Sequence, residues 1–84
     1  MQTRIISHVY KHAEWYAREV LHLEKSKWKH IESVYRLYGL LPREKLILLH
    51  APRYKPTERE IVEQSHILHF CKAKGLDVEE VILP

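Results

Sequence analysis

Apolar residues recur along this chain in two rhythms, and each rhythm predicts its own kind of element. Leu46-Ile47-Leu48-Leu49 is short and wholly apolar, the pattern of a strand buried on both faces. Ala51-Pro52-Arg53-Tyr54-Lys55-Pro56 follows as a loop. Thr57 and Glu60 then have the spacing of a capping box, which predicts a helix from Thr57 through Ile61, Val62, Ile67, Leu68 and Cys71 to Lys74. Lys72 and Lys74 suit the negative end of its dipole, and Gly75 can take the left-handed conformation that ends it. After a turn at Leu76-Asp77, residues 78 to 83 are rich in Val, Ile and Leu. Residues 46 to 83 therefore read as strand, helix, strand, a unit that makes a parallel pair.

The first half alternates less cleanly. Ala13, Tyr16, Ala17, Val20 and Leu23 fall at three- and four-residue steps and predict an amphipathic helix over residues 12 to 25. Past Lys25-Ser26-Lys27 the stripe resumes, displaced around the helix, as Trp28, Ile31, Tyr35 and Tyr38, which suggests a kink or a second helix before the stop signal of Gly39 and Pro42. Residues 3 to 9 are rich in β-branched side chains and predict a first strand. The competing reading runs the helix back through Val9 and Ile6 and leaves the two later strands to find partners in a second subunit. The expected fold is a small single α/β domain over residues 1–84, ordered strand-helix(-helix)-strand-helix-strand, with a short parallel sheet.

Length limits what such a chain can be. At 84 residues it is one domain with a small core, which excludes two-domain enzymes and long repeat arrays. The single cysteine, Cys71, forms no intrachain disulfide and predicts a reducing, cytoplasmic setting. The N-terminus lacks a long apolar segment, and the apolar run from Leu46 is far short of the roughly 20 residues of a membrane span. Neither secretion nor membrane insertion is expected. The net charge of +3 conceals a split, since residues 1–55 carry +6 and residues 56–84 carry −3. A basic first portion suits an anionic partner, and nucleic acid is the common one.

Parallel strands bring their following loops together at one edge, where ligands favour the strands' C-terminal ends. Here that edge would gather His8, Tyr10, Lys11 and His12 with His50, Arg53, Tyr54 and Lys55. Arginine forks onto phosphate oxygens and tyrosine offers a stacking face, so this mixture suits a phosphate or a nucleic-acid strand. Glu58 and Glu60 already serve the dipole of the second helix and would repel an anion there. Neither loop has the glycine-rich turn of a nucleotide-binding motif. The run Lys25-Ser26-Lys27-Trp28-Lys29 supplies further basic residues. If helical, it places Lys25 and Lys29 on one face and turns Trp28 toward the core. The candidate nucleic-acid contacts are Lys11, Lys25, Lys27, Lys29, Arg53, Tyr54 and Lys55.

Catalytic and metal patterns are weak. His8 and His12 are four apart and His66 and His69 three apart, but no HExxH or Cys/His spacing accompanies them, so no metal site or cofactor is expected. Arg59 and His66 loosely match the Arg/His spacing of a nuclease family built on helical bundles, a fold the strands oppose. Cys71 sits late in the second helix, away from the ligand edge, as a core thiol.

Residues 46 to 82, and His69-Phe70-Cys71-Lys72-Ala73-Lys74-Gly75 in particular, resemble the opening strand-helix-strand of serine recombinases. That family carries its nucleophilic serine after an arginine in the first loop, where this chain has Ala51-Pro52-Arg53-Tyr54 and no serine. The resemblance implies topology, not activity.

The sequence thus predicts a non-enzymatic, nucleic-acid-associated binding module, with a protein-interaction adaptor or homo-oligomeric regulator as one alternative. A small phosphate-ester hydrolase or nuclease using His8, His12 or His50 as base is the other. Homodimerisation is expected because Phe70 points away from the Ile61 and Leu68 stripe and the sheet leaves its edges open.

Overall fold

The computed structural model describes residues 2–37 and 44–84. Four strands, β1 (Thr3–Ile6), β2 (Trp28–Ile31), β3 (Lys45–His50) and β4 (Val78–Ile82), form one sheet in the order β2-β1-β3-β4. Every neighbouring pair is parallel. Helices α1 (Tyr10–Glu19) and α2 (Glu58–Ala73) cover opposite faces. The expected α/β class with a parallel sheet is present, with four strands where three were expected.

Period-two alternation explains the two cores. Ile5, Ile47 and Leu49 face α1, where Ala13, Tyr16, Ala17 and Trp28 complete one cluster. Ile6, Leu46 and Leu48 face the other way, onto Ile67 and Cys71 of α2 and onto Ile31 and Leu37. Residues Leu46 to Leu49 are all buried, as a strand with helices on both sides requires. Strand β4 runs parallel to β3 with Leu46 opposite Val78, the pairing expected of that unit.

Three boundaries in the first half differ from the sequence reading. β1 ends at Ile6, not at residue 9, because Ser7 turns the chain and its hydroxyl donates to the Val9 carbonyl at 2.7 Å just before α1 begins. Helix α1 ends at Glu19, well short of residue 25. His22 takes a φ of 53°, a left-handed conformation histidine tolerates, and the Leu23 N–H returns to the Ala17 carbonyl at 2.8 Å. That reversal tucks Leu21 and Leu23 against the α1-side core.

The third difference is of kind. Residues 25–27 form a short 3-10 turn and Trp28–Ile31 a strand, where a helical stripe was expected. Trp28 and Ile31 are three apart, a helical spacing, yet in a strand three residues apart means opposite faces. Each fills a different core, so both are buried as the stripe demanded, and Lys25 and Lys29 share no helical face. Val34–Leu37 is a second 3-10 turn, and Tyr38, Gly39 and Pro42 lie outside the described residues.

Helix α2 follows the sequence closely. Thr57 is its N-cap, with the Glu60 N–H donating to the Thr57 hydroxyl at 3.2 Å and the Thr57 N–H to the Glu60 carboxylate at 2.8 Å. Gly75, at φ 66°, ends the helix in the left-handed conformation. Phe70 packs against the α2-side core with the Lys74 ammonium over its ring, so the chain itself covers part of the surface expected to seek a partner. Among the described residues no helix is long and apolar enough to cross a membrane.

Candidate nucleic-acid interface

Strand order fixes where a site belongs. From β1 the chain winds outward to β2, then returns to β3 on the other side, so loops diverge at the C-terminal ends of β1 and β3 and leave a crevice between them. Ser7-His8-Val9 leaves β1 into α1, and residues 51–57 leave β3 into α2.

The second loop is rigidly built. The Tyr54 N–H donates to the Ala51 carbonyl at 3.0 Å, closing a turn with Pro52 at its second position, where proline's fixed φ fits. Arg53 is thereby left exposed at the tip. The Tyr54 hydroxyl donates to the Glu60 carboxylate, 2.8 and 2.9 Å from its two oxygens, so the capping residue of α2 also latches the loop. Tyr54 stacks with His8 (centroids 6.0 Å) and meets His12 edge-on (5.2 Å), which ties the two loops together.

The electrostatics follow from these contacts. Hydrogen bonds from the Thr57 backbone, and then from the Tyr54 hydroxyl, hold the Glu60 carboxyl below its usual range. Tyr54 is held above its own because ionisation would forfeit the bond to Glu60. Burial, helped by the nearby His8, pushes the His12 imidazole below its ordinary pKa against a smaller opposing pull from Glu60, which favours the neutral ring.

Two cavities flank Tyr54 and its latch. One, of about 420 Å³, lies over the C-terminal ends of β3 and β4, bordered by His12 and Trp15 of α1, Arg53 and Tyr54 of the loop, and Leu83 and Pro84. Arg53 brings a cationic side chain to it. The other, of about 520 Å³, lies toward β2 and is polar, with Ser7, His8, Glu32, Arg59, Glu63 and Gln64 among its walls. Three carboxylates there, Glu32, Glu60 and Glu63, outnumber the Arg59 guanidinium and disfavour a phosphate. The α1 N-terminus, beside the first cavity, has no acid in its first turn, unlike α2 with Glu58 and Glu60.

The sequence-predicted contacts divide into two groups. Lys11, Arg53, Tyr54 and Lys55 lie at the C-terminal edge, with His8 and His12 beside them as expected. Lys25 and Lys27 precede β2 and Lys29 is its second residue, level with Arg4 on β1 and Leu46 on β3, so the three lie toward the strands' N-terminal ends. Tyr10 turns aside to pack on Trp28 and His30. The His50 ring lies 2.9 Å from the Glu80 carboxylate on β4. Trp15 escaped the sequence reading, although its signal was present: a tryptophan off the apolar stripe of α1, 40% exposed.

Cys71 is a buried thiol whose pKa burial raises, so it is a poor nucleophile. Among the described residues no group of three or more His, Cys, Asp or Glu could hold a metal ion. Comparison with protein-family models, curated proteins and solved structures finds no match to this chain.

Proposed function

We propose that this chain is a non-enzymatic nucleic-acid-associated binding module that holds phosphates at the C-terminal edge of its sheet. The observation that carries the reading is the Arg53 tip, an exposed guanidinium with no ion pair among the described residues, placed beside an aromatic cavity and flanked by exposed Lys11 and Lys55. Guanidinium groups fork onto phosphate oxygens, and lysines add charge to the same face. The basic N-terminal portion supplies these groups, and the acid nearest the cavity, Glu60 of α2, is engaged by the Tyr54 hydroxyl and the Thr57 N–H. A reducing, cytoplasmic setting suits a protein whose single cysteine is a free core thiol.

A salt series with short single- and double-stranded DNA and RNA tests the reading. Affinity should fall steeply with salt, and Arg53→Ala should weaken every sequence alike. Binding weaker than about 10⁻⁴ M at low salt would retire it, since ordinary nonspecific association reaches that level.

A protein-facing role is the second reading. Ile61 and Val62 on α2 are about half exposed, at 51% and 50%, and Ile82 on edge strand β4 is 73% exposed. These residues would serve a homodimer or an adaptor contact. Light scattering that shows a monomer at high concentration removes the homodimer.

A further inference from the structure

Resting on the phosphate-binding reading above, we infer that the cavity between α1 and the loop after β3 receives one unpaired base, which makes the ligand class single-stranded rather than duplex nucleic acid. The cavity's size, about 420 Å³, lies in the range of small-ligand sites. Its border is aromatic and apolar, with Trp15, His12 and Tyr54 supplying rings and Leu83 and Pro84 aliphatic surface. Arg53 brings a cationic side chain to it. That combination fits a flat ring carrying an anion, the chemistry of a nucleobase with its phosphate.

Preorganisation strengthens the fit. Tyr54 is fixed before any ligand arrives, by its hydroxyl on Glu60 and by ring contacts with His8 and His12. The Leu83 N–H donates to the His50 carbonyl at 2.7 Å and anchors the far wall. Rings already held in place lose little freedom when a base stacks on them. A duplex hides the faces of its bases and would have to extrude one first, at an unstacking cost that a single strand avoids. The second cavity sets three carboxylates, Glu32, Glu60 and Glu63, against one guanidinium, Arg59, which favours the Arg53 side of Tyr54 for a phosphate backbone.

The test measures binding of the full chain, by fluorescence anisotropy, to four probes. These are a short mixed-sequence single strand, its duplex, a single strand of equal length with abasic sites, and a nucleoside monophosphate. The single strand should bind about 5- to 100-fold tighter than the abasic strand and the duplex, the span that stacking of one base supplies. Trp15→Ala should erase that preference while leaving salt-sensitive binding in place. Ala51→Leu keeps every ring and charge but narrows the cavity, and should do the same. Circular dichroism of both variants checks the fold.

Equal, salt-sensitive binding of all three polymers overturns the inference and leaves phosphate binding standing. Binding of none overturns both. A monophosphate that binds as tightly as the single strand, without salt dependence, also overturns it and points to a free aromatic anion as the occupant.

Discussion

At the scale of single residues, the C-terminal edge is organised around Tyr54, whose hydroxyl closes a latch and whose ring joins two loops. His12 packs on that ring at the cost of its charge, and this gives a pH signature with a definite sign. Because the folded state lowers its pKa, His12 stabilises the fold fully above its unfolded value of about 6.5. Below that pH the unfolded chain binds the proton first, so stability is lost as pH falls toward the folded pKa. Glu60, also depressed, adds a second loss at lower pH, as acid protonates the carboxylate that caps α2. Thermal unfolding between pH 7.5 and 5.5 should show Tm falling, and His12→Gln should flatten that window while leaving the more acidic loss in place. An unchanged profile in the variant would mean that another group carries the titration.

At the scale of elements, legibility depended on whether one period had one meaning. α2 was readable from end to end, because Thr57, Glu60 and Gly75 each have a local backbone role that tertiary context does not alter. Thr57→Ala removes the side-chain cap and should cost about 1 kcal/mol, read as a lower Tm with the same folded spectrum. β3 was readable because a wholly apolar run in a small α/β chain has few other places to go. Leu48→Ala should cost about 2–5 kcal/mol, visible as a lower denaturant midpoint, since Leu48 is fully enclosed in the α2-side core. β2 was not readable: Trp28 and Ile31 satisfy a helical stripe on one face and equally a strand with two buried faces. Only the partner strand β1, 25 residues earlier and paired Thr3 to Trp28, decides between them. The edges follow the same logic, since exposed Lys29 on β2 and Glu79 and Glu80 on β4 carry charge on the two outer strands of the sheet that the described residues form.

At the scale of the whole molecule, strand direction turns a one-dimensional charge pattern into two separate patches. The sequence shows Lys25, Lys27 and Lys29 as its densest basic run, expected to add phosphate contacts to those of the C-terminal edge. Parallel strands carry that run to the N-terminal edge, while Arg53 and Lys55, more scattered in sequence, arrive beside Lys11 and the aromatic cavity. Lys29 is level with Arg4 and Leu46, about 13 Å of strand from the end of β3 at His50, more than the ~8–10 Å over which exposed charges interact at ordinary salt, so the run and the Arg53 loop should act separately on a bound strand. Two triple variants separate them. Replacing Lys11, Arg53 and Lys55 by Ala should shallow the dependence of log affinity on log salt by about two to three units, since each phosphate contact contributes roughly 0.7 to 0.9. Replacing Lys25, Lys27 and Lys29 by Ala changes the formal charge equally, yet should leave both slope and single-strand preference close to those of the parent. Equal losses from both triples would mean that the ligand responds to net charge alone, and the C-terminal edge would lose its claim to be the interface.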